Sequence, residues 1–379
     1  MSAAVQPDFP RIHDLLAECV RADPGNILYL DELVANLQCW QPKRSWLSRI
    51  LGGLTKTGPR AFGWDNDVPG TPYPVLSTEY ALLQSAPDVL QSRFKDAATL
   101  RQLAAAADAC DYGEVELFYW KMALEAAPTD LDSFHGLARA LTRQGRFEQA
   151  YPAWKQLLTI APGDVEARTA LADLDPQPDQ KFEDEVRRLA DAQAAGGPLL
   201  MLLGQREALQ LARAQHRVRI AQRRAAADSH PKSARLVEHL AAEHARLEIE
   251  MLHLRCERLP GDWRVRVDLA KRLKAAGNYS GAIQRLEEAG RIEPGVAAVA
   301  IELGENWQRL RQFAKALEFY RQAIAVASDE DLKLALYRGG TLAAAMGQPD
   351  EARGHLTRLI GIDAAYRDAR ERLDKLPRN

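Results

Sequence analysis

Cysteine is scarce in this 379-residue chain: Cys19, Cys39, Cys110 and Cys256 stand far apart with no paired spacing. That spacing suggests neither a disulfide framework nor a zinc site, and each thiol reads as a small core residue. Charge of one sign is missing too, since 50 Lys and Arg oppose 52 Asp and Glu for a formal net charge of −2. Phosphate-binding domains are usually clearly basic, so broad attraction to nucleic acid is excluded. No apolar run approaches the roughly 18 residues needed to span a bilayer. The opening "MSAAVQPDFPRIHDLL" has neither an early positive charge nor an apolar stretch of signal-peptide length, so the expected location is cytoplasmic.

Catalytic signatures are absent as well. There is no G-x-S-x-G elbow, no dinucleotide fingerprint and no Cys pair. Gly53 and Gly58 have phosphate-loop spacing, but Pro59 and Arg60 follow where Lys and Ser or Thr are required. The string "HLAAEH" puts His239 and Glu243 on one helical face, while His244 is turned away by about 100° of rotation. No metal, no cofactor and no enzymatic activity are expected.

What is present is a repeat. Pro128 and Pro162 are 34 residues apart, as are Trp120 and Trp154, Pro260 and Pro294, and Ala282 and Ala316. Within 131–164, Leu137, Ala138 and Leu141 recur at helical intervals, and so do Ala150, Trp154 and Leu157. Each set makes one apolar stripe. Between them Gly145 can adopt the left-handed conformation that ends a helix, and Pro162 closes the second. Ala150 is small where two helices approach, and Trp154 is large where it reaches the neighbouring hairpin. This pattern resembles the tetratricopeptide repeat.

Five units follow the pattern: 97–130, 131–164, 263–296, 297–330 and 333–366. The first departs from it, with Asp111 at the turn and Glu116 at the small position; the last carries a two-residue insertion near Asp331. The stretch "DARERLDKL", 368–376, has the charged outer side of a capping helix. The predicted fold is therefore all-α, an α-solenoid of helical hairpins in two arrays joined by a long helical hairpin. Expected divisions are degenerate repeat-like helices at 1–41, a Pro/Gly-rich insertion at 42–75, a first array at 76–176, a connector at 177–262 and a second array with its cap at 263–379. In the connector, an antiparallel fold about "DSHP" should place Leu209 near Met251 and Ile220 near Leu240. Arg213, Arg217, Arg219 and Arg224 should then face Glu238, Glu243, Glu248 and Glu250, each exposed pair contributing about 0–1 kcal/mol.

No hairpin can bury its stripe alone, so the pattern requires stacking, and stacking leaves a concave groove. The resemblance implies that ligand-facing positions lie on the first helix of each hairpin. They fall here on His135, Arg139 and Arg143, then Arg264, Lys271 and Lys274, then Glu305 and Arg309, then Tyr337 and Thr341. The surplus of cations points to a protein or peptide partner of acidic character. Tetratricopeptide domains that clamp a chaperone's carboxyl terminus use a Lys, Asn and Arg set; no Asn stands at the matching places here. The implied role is a non-enzymatic scaffold. An alternative is a membrane-associated organiser anchored by the basic amphipathic stretch 43–60, with Trp46, Leu47, Ile50 and Leu51 on one side; another is a non-catalytic subunit of an enzyme complex. The layout as a whole is similar to that of bacterial tetratricopeptide proteins, which implies the fold and no particular role.

Overall fold

The computed structural model describes residues 8–40, 78–93, 95–174 and 177–377; among them are nineteen α-helices and no β-strand. The insertion at 42–75, including Trp46, Leu47, Ile50 and Leu51, lies outside the described residues. Two compact units emerge, one comprising 1–195 with 216–240 and the other 196–215 with 241–379.

The first unit opens with α1 (Phe9–Ala22) packed on α2 (Ile27–Trp40), followed by the short α3 (Thr78–Gln84) and α4 (Ala86–Arg93). Two full hairpins follow, α5 (Ala97–Ala109) with α6 (Gly113–Ala126) and α7 (Leu131–Arg143) with α8 (Phe147–Ile160). Then come α9 (Val165–Asp173) and α10 (Gln177–Ala194). The long helices α11 (Leu199–Ala227) and α12 (Pro231–Arg258) meet at the expected turn. The predicted single connector is thus shared: its tip, 216–240, belongs to the first unit, and its stem to the second.

The second unit continues with α13 (Trp263–Ala275) and α14 (Tyr279–Ile292), then α15 (Ala297–Arg309) and α16 (Phe313–Val326). The last hairpin is α17 (Asp329–Ala345) with α18 (Pro349–Ile362), and α19 (Ala369–Asp374) follows. The insertion near Asp331 is taken up by lengthening α17 to 17 residues. The helix α19 packs on this last hairpin. Ala369 is buried, and Leu373 and Leu376 cover Leu336, Leu356 and Leu359.

One turn geometry joins both helices of all five hairpins. The second residue after the first helix has positive φ: Asp111 (64°), Gly145 (70°), Gly277 (79°), Arg311 (60°) and Gly347 (73°). The next residue's N–H then reaches back to a carbonyl five positions earlier, at 2.9 Å in every case, for example Arg146 to Leu141 and Gln312 to Trp307. This closes the helix and satisfies an otherwise orphaned carbonyl. Glycine holds three of the five positions because it meets no steric penalty there. An Arg in that conformation costs about 1–2 kcal/mol. Capping at the other end is done by side chains: Asp130 and Asp164 accept from the N–H groups of Ser133 and Ala167, and Asp262 accepts from that of Arg264.

The small positions lie where the helices cross. Ala150, Ala282, Ala316 and Ala352 are wholly buried, and so are Trp154, Leu286, Tyr320 and Leu356 four residues on. Trp154 donates from its indole N–H to Thr142 Oγ1 at 3.2 Å, and Thr142 donates onward to the Ala138 carbonyl, so burying the ring strands no polar atom. Glu116 is the exception: it sits at the alanine position and is equally buried. The cysteines differ from the core assignment. Cys256 is buried, Cys19 and Cys110 are half-buried, and Cys39, near the end of α2 and past its last buried residue Leu37, is exposed.

Close approach reverses the usual effect of replacing glycine. A Cβ on Gly136 would meet ring carbons of Trp120 at 2.4 Å, whereas one on Gly204 would meet nothing within 4 Å. Gly204→Ala should stabilise the protein by about 0.5–1 kcal/mol, as expected in an open helix interior. Gly136→Ala should instead destabilise it by about 1–3 kcal/mol through overpacking. Paired urea melts check both, and a gain at Gly136 would show that the Trp120 contact is dispensable.

Candidate binding site

The first helices of both units carry the side chains nominated from the sequence, and neighbouring repeats engage most of them. On α7, His135 Nε2 lies 2.9 Å from Asp164 Oδ2, and its ring meets Trp154 edge-on. Arg139 grips Glu166 with two hydrogen bonds, from Nε at 2.8 Å and from Nη2 at 2.5 Å. This bond holds the Glu166 carboxyl below its ordinary pKa, against the upward pull of burial. Arg143 donates to Glu116 at 2.9 Å and lies 3.5 Å from Asp108 on α5.

The hairpin tip lies across these same residues. Ile220, Ala221, Leu236 and Leu240 are buried in one cluster with Leu137, Phe147, Trp154 and Ala170. Arg217 donates to the Gly145 carbonyl at 3.0 Å and lies over the Phe147 ring. Arg224 lies over Trp154 with Asp173 at 3.6 Å. Both arginines therefore turn onto the repeats, a correction to their expected pairing with α12: there Phe147 and Trp154 offer aromatic faces and the Gly145 carbonyl and Asp173 offer acceptors. Lys232 donates to both the carbonyl and Oδ1 of Asp108 at 2.8 Å. Arg139, Arg143 and Glu166 face Arg224, Asp228 and Ser233 across a cavity of about 20 Å³, room for a single water.

Glu116 is the most perturbed carboxyl of this seam. Its burial, reinforced by the charge of Asp108, pushes its pKa up to about 7 despite the Arg143 guanidinium beside it. Burial acts on Asp108 in the same sense. There the hydrogen bond from Lys232, with the charges of Arg143, Lys232 and His230, wins and lowers the pKa.

In the second unit the nominated residues divide. Lys274 on α13 is held by Glu302 at 2.5 Å and Glu305 at 3.0 Å, both on α15, and Arg338 on α17 reaches Glu305 at 2.9 Å. Tyr337 donates its hydroxyl to Asp368 at 2.6 Å and lies among Tyr366, Arg367 and Arg372. Arg264, Lys271 and Arg309 are exposed and make no ion pair among the described residues; Arg264 rests on the Trp263 ring at 4.8 Å. Beside Arg309 opens a recess of about 440 Å³ lined by Glu305, Gln308, Arg311, Phe313 and Arg338. The sequence reading missed Arg311, Phe313 and Arg338. One signal was available for Arg311, which stands 34 residues after Gly277 where a turn glycine is due.

Among the described residues no group of three or more His, Cys, Asp or Glu side chains is placed to hold a metal ion, and no helix is long and apolar enough to cross a membrane.

Residues 131–174, which span α7, α8 and α9, match the family model described as tetratricopeptide repeat. Among solved structures the chain is similar to MamA, with 18% identity, 36% of this chain and 79% of that one covered, and a TM-score of 0.33. It is also similar to the APC/C hetero-tetramer Cut9-Hcn1, with 12% identity, 98% and 53% covered, and a TM-score of 0.33. A third is YrrB, described as a TPR protein with an unusual peptide-binding site, at 15% identity, 66% and 95% covered, and a TM-score of 0.24. The chain thus spans about half the length of the Cut9-Hcn1 chain it matches. Likenesses this distant say nothing of ligand or partner. No curated protein matches the chain.

The folded pKa of Glu116, about 7, lies above its ordinary 4.5. The stability it contributes is fully present below 4.5 and is lost as the pH rises through 7. Relative to Glu116→Gln, the wild type should therefore gain about 1–3 kcal/mol when the pH is lowered from about 8 to about 5. Denaturant melts of both proteins across that range read the difference; a gap that stays constant would mean that Glu116 does not titrate there.

Proposed function

We propose that this protein is a non-catalytic scaffold that holds a peptide or protein segment along the first helices of its second unit, with Arg264, Lys271 and Arg309 as the contacting cations. The supporting observation is an asymmetry between the units. At the nominated positions of the first, His135, Arg139 and Arg143 are each engaged by a neighbouring carboxylate, and the chain's own 216–240 segment lies over Arg139 and Arg143. At those of the second, three cations stay exposed without an ion partner among the described residues.

Such cations favour an acidic partner. An exposed guanidinium or ammonium is already well hydrated, so one pairing adds only about 0–1 kcal/mol, but the charge-assisted hydrogen bonds of several such cations select a carboxylate over a neutral group. A partner of protein chemistry also fits the lack of any overall positive charge.

Charge reversal separates binding from folding. Arg264→Glu combined with Lys271→Glu touches two exposed side chains, so helicity should be unchanged and stability should shift by no more than about 0.5 kcal/mol. Affinity purification from the native cell should lose the partners recovered with wild type. An unaltered set of co-purifying proteins would rule out this face as the binding surface.

A further inference from the structure

We propose that the turn between α15 and α16 carries a recognition corner for a carboxylate-rich peptide, built around Arg311. The inference rests on the reading that the second unit holds a protein segment, and it extends the contact from Arg309, at the end of the first-helix face, onto the helix–helix turn. Three guanidinium groups, Arg309, Arg311 and Arg338, line the 440 Å³ recess against one carboxylate, Glu305. That carboxylate is already bound by Arg338 and Lys274. Arg309 and Arg311 have no ion partner among the described residues. The corner thus holds a local surplus of positive charge in a chain whose formal net charge is −2.

Arg311 itself is the clue. It occupies the position where three of the four sister turns have glycine, and it keeps the same left-handed backbone, with φ of 60°. The other non-glycine turn residue, Asp111, is matched to Lys232 and Arg235 within the first unit. Among the described residues nothing comparable compensates Arg311. An exposed guanidinium carried on a strained backbone position at a charged recess is better placed to meet a ligand than to hold the fold. Phe313, 42% exposed, supplies an apolar wall beside it. An inorganic anion would leave that wall bare, whereas a peptide with carboxylates next to apolar side chains would use both. The recess is of a size that holds small ligands or a few side chains.

Arg311→Gly is the decisive variant, because it deletes the guanidinium while installing the residue the turn prefers; its melting temperature should not fall. Fluorescence anisotropy with a fluorescein-labelled peptide alternating Glu and Leu, and with its Gln and Leu counterpart, reads the binding. Wild type should prefer the Glu peptide by about tenfold at low salt, and Arg311→Gly or Arg309→Ser should erase most of that preference. Equal binding of the Glu peptide by wild type and both variants would overturn the corner. So would a wild type that does not distinguish the two peptides. If both peptides bind alike and Lys271→Glu weakens both, the second unit still holds a segment and only the corner is wrong.

Discussion

A helix of thirteen or fourteen residues is barely stable alone in water, because its few hydrogen bonds do not offset the order they require. Every hairpin in this protein therefore depends on its neighbour to cover the stripe it cannot cover itself. Small residues at the crossing and a large side chain four residues further on make that possible. Trp154, Leu286, Tyr320 and Leu356 fill the same site in four of the five hairpins, each beneath a fully buried alanine. The shared turn fixes the angle at which the two helices leave it, so the covering surfaces recur in register.

Charge also ties neighbouring hairpins together. Arg139 to Glu166 and Arg143 to Glu116 are both 27 residues apart, and Lys274 to Glu302 is 28. Each joins a first helix to the adjacent hairpin. Pairs half open to water add little stability, yet together they specify which cations stay committed inside the fold. The buried Glu116 is different in kind. Its carboxylate replaces an alanine, and its desolvation is only partly compensated by Arg143.

The fold was legible because its period is local: Pro, Ala, aromatic and turn residues recur at 34, and each governs the geometry of its own hairpin. The turn role given to Gly145 is what the structure shows, and Asp111 takes the same conformation where the glycine is missing. The candidate site was legible only in part. Its positions could be carried over from the repeat, but whether a cation is spoken for depends on a residue one hairpin away. Lys274 and Arg139 looked as open as Lys271 does. The docking of the hairpin tip had no local signal at all: Arg217 meets the carbonyl of Gly145 across 72 residues of sequence, and Lys232 meets Asp108 across 124.

That distant docking has a consequence for how the chain emerges from the ribosome. The hydrophobic cluster around Trp154 includes Leu236 and Leu240, so it stays incomplete when α9 has already been synthesised. At about 5–20 residues per second, the nascent protein waits some seconds with Phe147 and its neighbours uncovered before the closing segment arrives. During that interval the exposed apolar surface is a natural target for chaperones, and the completed hairpin tip ends it.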